Sequence, residues 1–283
     1  MLNRALLLDL VRSALAEDVG SGDATTLAVV PASLRATALM VTRQPCVCAG
    51  MPVAEALFAE LDAELSFEAL VAEGERCQAG ETLAVVRGSA RAILTGERTA
   101  LNFVQRLCGI ATLTRRYVEA LGDCGTKILD TRKTTPGWRF LEKYAVRAGG
   151  GQNHRFGLYD RVMIKDNHRE LAKLSGPDSI ARAVSACRAA YPGLEVEVEA
   201  DTLAEVQAAA AATVDYILLD NMSTEMMAEA VRLVGGRARL EASGGITLER
   251  LPGLAGLGLD FISVGALTHS APAVDIGLDL VTA

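Results

Sequence analysis

The sequence predicts an α/β protein of two parts, a small mixed-sheet domain followed by a parallel β/α domain. Three observations carry this. The chain has 283 residues, enough for two domains with a core each. Half of the residues are hydrophobic but only 4% are aromatic, and this Ala-, Val-, Leu- and Gly-rich mix suits aliphatic buried strands flanked by small-residue helices. The apolar pattern also changes along the chain: strands cluster before residue 107, and strands alternate with helices after residue 127.

In the first part, Leu7, Leu10, Val11, Ala14 and Leu15 share a face, which predicts a helix over 4–17. A polar, turn-rich stretch follows from Glu17 to Thr26. Residues 34–49 read as strands around a turn at Pro45, and 52–61 as a helix with Pro52 near its start. Residues 65–87 return to strand, with turns at Glu73-Gly74 and Ala79-Gly80. A long helical pattern from about Ser89 to Leu107 closes this α+β domain. In the second part the candidate strands are 127–130, 161–165, 194–199, 216–220, 239–243 and 261–264, with helices over 178–190, 203–212, 225–234 and 248–254. Such alternation implies a parallel sheet, open or closed into a barrel.

The start of the chain lacks the long apolar core of a signal peptide, because Asp9 and Arg12 interrupt it. No uncharged apolar run reaches 18 residues, so a cytoplasmic protein is the expectation. The six cysteines, Cys46, Cys48, Cys77, Cys108, Cys124 and Cys187, have no CxxC pair and read as reduced thiols. The net charge of −7 argues against a nucleic-acid surface. From Lys127 to Arg169, however, ten Lys/Arg stand against four Asp/Glu, a local +6 that leaves −13 for the rest. A basic island in an acidic chain suits a pocket for a small anion; a solvated helix face is the plainer reading.

Side chains alternate across a strand, so Glu195, Glu197 and Glu199 share one face and Val196 and Val198 the other. In a barrel the valines face the helices and the glutamates face inward, where each needs a cation or hydrogen bonds. Lys165, Glu199, Asp220 and the segment after Ser243 all end strands, where β/α barrels build their active sites. Three segments suit anions. Thr131-Arg132-Lys133 combines a hydroxyl, a bidentate fork and a point charge. Gly149-Gly150-Gly151-Gln152-Asn153-His154-Arg155 puts a His and an Arg after a flexible turn. Ser243-Gly244-Gly245 and Val264-Gly265-Ala266 offer backbone N–H groups to a phosphate. His154, His168 and His269 have no zinc-type spacing, whereas Glu199 and Asp220 suit Mg²⁺ shared with substrate phosphates.

The ordered segments DTRKTTPG (130–137), EKYAV (142–146), GGGQNHR (149–155), IKDNH (164–168), VEVE (196–199), LLDN (218–221), SGGIT (243–247) and SVGALTHS (263–270) resemble the quinolinate phosphoribosyltransferase family, as do EDVGSGDATT and GERTALNFVQRLCGIAT (96–112). The resemblance covers essentially the whole chain. It implies an N-terminal α/β sandwich domain over 1–107, an incomplete, seven-stranded α/β barrel over 108–270, and a tail over 271–283 packing back on the N-terminal domain. It implies a homodimer or larger homo-oligomer with a shared active site. The implied reaction joins quinolinate and phosphoribosyl pyrophosphate, with Mg²⁺, to give nicotinate mononucleotide, pyrophosphate and CO₂. By position, Arg98 (from a neighbouring subunit), Arg132, His154, Arg155 and Lys165 would bind quinolinate. Lys133 would contact phosphoribosyl pyrophosphate, Glu199 and Asp220 would face the ribose and Mg²⁺, and the two glycine loops would hold the 5′-phosphate. Lys133, Lys165, Glu199 and Asp220 would carry the catalysis. Competing readings are a relative from molybdate transport operons, a non-catalytic anion binder on the same fold, and an aldolase using Lys165 as a Schiff base.

Overall fold

The computed structural model describes residues 2–176 and 178–281, and these form two compact units. Unit 1 comprises residues 2–115, 134–150 and the C-terminal stretch from Leu267; unit 2 comprises 116–133 and 151–266.

Unit 1 is built on a four-stranded antiparallel sheet. Its strands are β1 (Arg35–Thr42), β3 (Ser66–Ala69), β5 (Thr82–Ser89) and the C-terminal β12 (Ile276–Leu280), in the order β12-β1-β5-β3. The short pair β2 (Cys46–Val47) and β4 (Arg76–Cys77) lies apart from it. The 271–283 segment thus pairs with the N-terminal sheet through Ala38↔Leu280 to Thr42↔Ile276; residues 282 and 283 lie outside the described residues. The stretch read as turns is shorter than expected. The first helix runs to Val19, and a second, Ala24–Val29, starts where the Asp23 carboxylate accepts the Thr26 N–H at 2.9 Å.

The helical pattern read as ending at Leu107 continues unbroken from Ala90 to Leu121. The junction of residues 107 and 108 therefore lies within a helix. The physical reason is that the buried face persists through Val104, Leu107, Cys108, Ile110 and Ala111. Gly109 interrupts it without breaking it, because a Cβ there would overlap the Pro272 carbonyl. The helix Arg139–Ala148 also belongs to unit 1. It buries Glu142 completely, and Glu142 accepts from Arg106 Nη2 (3.0 Å), Thr135 N (3.0 Å) and Thr135 Oγ1 (2.9 Å).

Unit 2 carries six parallel strands: β6 (Lys127–Leu129), β7 (Val162–Ile164), β8 (Val196–Ala200), β9 (Tyr216–Asp220), β10 (Arg239–Ser243) and β11 (Phe261–Ser263), in the order β6-β11-β10-β9-β8-β7. All six coincide with candidate strands of the sequence. The seventh strand expected of the barrel is reduced to one parallel bridge, Leu129↔Gln152, on the open edge of β6. The triple glycine before Gln152 explains the shortfall, since glycine disfavours extended pairing. His154, just past that bridge, nevertheless reaches Glu197 on β8 and Glu241 on β10 at 3.2 Å each, so the sheet curls into an incomplete barrel. The outer faces follow the pattern expected: Val196, Val198, Ile262 and Val264 are buried. Thr202 and Ser223 cap the helices that follow β8 and β9. No disulfide forms among the described residues; four cysteines are buried and Cys124 and Cys187 are half-buried. No described helix is long and apolar enough to cross a membrane.

Candidate active site

The strand ends of unit 2 gather charged groups because register carries them there. Ile164 pairs with Val198, so Lys165 and Glu199 emerge side by side and form an ion pair. Asp220 pairs with Ser243 on the neighbouring strands. Two of the three glutamates read as inward-facing behave so. Glu197 is fully buried and Glu199 largely so, whereas Glu195 precedes the strand and is exposed, bonded to Arg239 (2.7 Å) and the Tyr216 hydroxyl (3.0 Å).

The basic pocket starts at the end of β6. Asp130 is fully buried; it accepts the His154 N–H (2.9 Å) and Asn153 Nδ2 (2.6 Å), which fixes the GGGQNHR turn. His154 is buried, its Nδ1 accepting from the Arg155 N–H at 2.6 Å. Arg155 is half-buried and donates to the Arg161 carbonyl (3.0 Å), reaching the Met163 sulfur at 3.4 Å. Burial, and next the charge of Arg132, push its guanidinium pKa below the usual value. A guanidinium placed beside a second one in a half-buried setting suits an anionic ligand. Lys133 is exposed, its N–H bonded to Thr131 Oγ1 at 3.0 Å. Arg98 lies exposed on the long helix of unit 1.

The loop after β10 is shaped for close approach. Gly244 has φ +87°, and a Cβ there would overlap the Asn221 side chain. Arg250 holds the loop from below, donating to the Gly244 (3.1 Å) and Gly245 (3.3 Å) carbonyls and to Met222 O (2.8 Å). On the other side of the site, Val264 donates to Leu129 O (2.9 Å), which sets Gly265 and Ala266 beside the end of β6.

The acids crowd in turn. Asp201 is pushed up by burial and then by Glu205, Asp220 and Asp166. Glu199 and Asp220 end adjacent strands in this negative setting, and their carboxylate oxygens are the donor type that Mg²⁺ takes. The triad His154, Glu197 and Glu241 is the one group of three metal-type side chains found among the described residues.

Two family models match. Residues 23–108 match the N-terminal domain of quinolinate phosphoribosyl transferase, and residues 110–279 its C-terminal domain. The chain belongs to the quinolinate phosphoribosyltransferase family. It is 46% identical over 278 residues (96% of each chain) to the nicotinate-nucleotide pyrophosphorylase (carboxylating) of Mycobacterium leprae. It is 45% identical over 271 residues to the protein from Synechocystis sp. described as probable nicotinate-nucleotide pyrophosphorylase (carboxylating), covering 94% of this chain and 90% of that one. Among solved structures, NadC from Streptococcus pyogenes superposes with a TM-score of 0.93 at 44% identity, over 99% of this chain and 98% of that one.

For this phosphoribosyltransferase family member, unit 2 holds together Arg132, Lys133, His154, Arg155, Lys165, Glu199, Asp220, Ser243–Gly245 and Val264–Ala266, while Arg98 belongs to unit 1. The sequence reading passed over Asp130, Arg250 and above all Glu241, which is fully buried. Glu241 was legible: it alternates with Ser243 on the inward face of an apolar strand, as Glu197 does with Glu199.

Proposed function

We propose that this chain transfers the phosphoribosyl group of phosphoribosyl pyrophosphate to quinolinate, with loss of CO₂, giving nicotinate mononucleotide and pyrophosphate for NAD biosynthesis. The observation that carries the reading is the crowding of Arg155 by Arg132 at a strand-end cluster of cations and carboxylates. Quinolinate brings two adjacent carboxylates, which guanidinium groups bind in a bidentate manner. In this reading Arg132, Arg155 and Lys165 orient quinolinate with its ring nitrogen towards the ribose C1, and His154, both of whose ring nitrogens are engaged within the protein, acts by holding the Arg155 backbone. Arg98 reaches the site from a neighbouring subunit of a dimer or larger assembly. Lys133 and Thr131 take phosphate oxygens, and the two glycine loops cradle the 5′-phosphate.

The bond from ribose C1 to pyrophosphate breaks as the nitrogen–C1 bond forms. Positive charge develops on the ribose, as in glycoside cleavage, and Glu199 and Asp220 stabilise it. Lys165 shields Glu199 until substrate arrives. Glu199 and Asp220 would hold Mg²⁺, which would supply charge neutralisation for the leaving pyrophosphate. The bond from the ring carbon beside the nitrogen to its carboxylate then breaks, CO₂ leaves, the positive ring nitrogen stabilises the electron pair left on that carbon, and the carbon takes a proton from water to give the product, the cations of the pocket steadying the shifting charge. The enzyme works in the cytoplasm on this reading.

The test is turnover by the purified protein with Mg²⁺, phosphoribosyl pyrophosphate and quinolinate, with Arg132→Ala as the control. Nicotinate mononucleotide that requires every component and is lost in the variant supports the proposal. Quinolinate binding without turnover would favour a non-catalytic anion binder. Neither binding nor turnover would favour the molybdate-operon relatives.

A further inference from the structure

Inside the barrel, beneath the strand-end cluster, His154 Nε2 stands 3.2 Å from a carboxylate oxygen of Glu197 and 3.2 Å from one of Glu241. Both glutamates are completely buried, and His154 is 7% exposed. Arg161 Nη1 approaches Glu197 at 3.5 Å. Three metal-type ligands this close invite a cation, but the ring's other nitrogen opposes it. A metal-bound imidazole uses its second nitrogen as an N–H donor. Here Nδ1 accepts the Arg155 N–H at 2.6 Å, so it carries no proton. The proton of the neutral ring is then on Nε2, between the two glutamates. Two carboxylates facing each other across one N–H in a dry interior do not both stay ionised. Burial, and then the charge of Glu197, push the Glu241 carboxyl above the usual carboxylate range, and His154 opposes them.

We propose that Glu241 is a positioning residue: with Glu197 it holds the Nε2–H of His154 and locks the imidazole as that tautomer, so that Nδ1 fixes the Arg155 backbone and sets where its guanidinium meets the substrate. The Arg155 N–H is held by His154 and the preceding N–H by Asp130, so the turn is pinned at two consecutive peptides. The proposal rests on the quinolinate reading for its substrate, but the lock itself is a property of the chain.

The experiment uses the full-length protein with ¹⁵N-labelled histidine, His154 being assigned from the signal missing in His154→Gln. Wild type is expected to show a protonated Nε2 and an unprotonated Nδ1 at neutral pH. Glu241→Leu is expected to lose that signature and to raise KM for quinolinate by about ten- to a hundredfold, the scale of a roughly 1 Å misplacement. KM for phosphoribosyl pyrophosphate is expected to stay within about twofold. Glu241→Gln mimics a neutral acid, and it is expected to keep the tautomer and rescue quinolinate KM to within about threefold of wild type. Should Glu241→Leu not fold, the tautomer in wild type and Glu241→Gln still decides the case. A protonated Nδ1 in wild type, a stoichiometric divalent metal bound at His154, or Glu241→Gln behaving as badly as Glu241→Leu would each overturn the proposal. If wild type turns over no quinolinate, the proposed function fails, and the tautomer measurement judges the lock on its own.

Discussion

Raising the pH from about 6.5 to 9 is expected to weaken the fold through the one buried cluster of His154, Glu197 and Glu241. Burial opposes charge on His154, but its contacts with Glu197 and Glu241 outweigh that, and the three groups together keep one extra proton from pH 6.5 up to about 9. The titration belongs to the cluster rather than to one atom. Below pH 6.5 the unfolded chain also carries the proton, so the stabilisation is present in full. Between 6.5 and 9 the native state holds one proton more than the unfolded state, and stability falls at about 1.4 kcal/mol per pH unit. The total is about 3 kcal/mol, a sizeable fraction of a typical unfolding free energy. Urea unfolding followed by fluorescence between pH 6 and 10, compared with Glu241→Gln, reads it directly. The variant cannot hold the extra proton at position 241, so its profile is expected to be flatter across this window. A wild-type profile flat between 6.5 and 9, or an unchanged slope in the variant, would refute the reasoning.

Arg132→Ala is expected to abolish quinolinate turnover while leaving the melting temperature unchanged or higher, because it relieves the repulsion on Arg155; calorimetry beside the activity assay checks both halves. Asp130→Ala leaves the His154 N–H and Asn153 without their acceptor and is expected to cost about 2–4 kcal/mol in urea unfolding, together with most of the activity. Glu142→Ala strips Arg106 and Thr135 of a buried acceptor. Arg106 keeps its bonds to the Ala271 and Thr268 carbonyls, so the expected loss is about 2–3 kcal/mol rather than the full cost of an orphaned charge. Gly244→Ala forces a side chain into a left-handed backbone position against Asn221 and is expected to lower affinity for phosphoribosyl pyrophosphate, measured by calorimetric titration, more than affinity for quinolinate.

Local pattern was enough for much of this. The six parallel strands, the helices capped by Thr202 and Ser223, and the basic island from Lys127 to Arg169 follow from periodicity and charge, which act over neighbouring residues. The inward face of β8 was legible because alternation is a local rule, although it overreached to Glu195, which lies outside the strand. The full length of the long helix was not legible. Whether a helix stops near Leu107 or runs to Leu121 depends on what packs against Ile110 and Ala111 and on the Pro272 carbonyl over Gly109, partners far away in sequence. The same holds inside the barrel. Sequence alone determined that this chain has charged residues at the ends of parallel strands and a glycine-rich turn before His154 and Arg155. Only the tertiary structure decided that a residue just past one edge of the sheet meets Glu197 and Glu241 on far strands, because curling the sheet is a collective consequence of strand twist and closure that no short window contains.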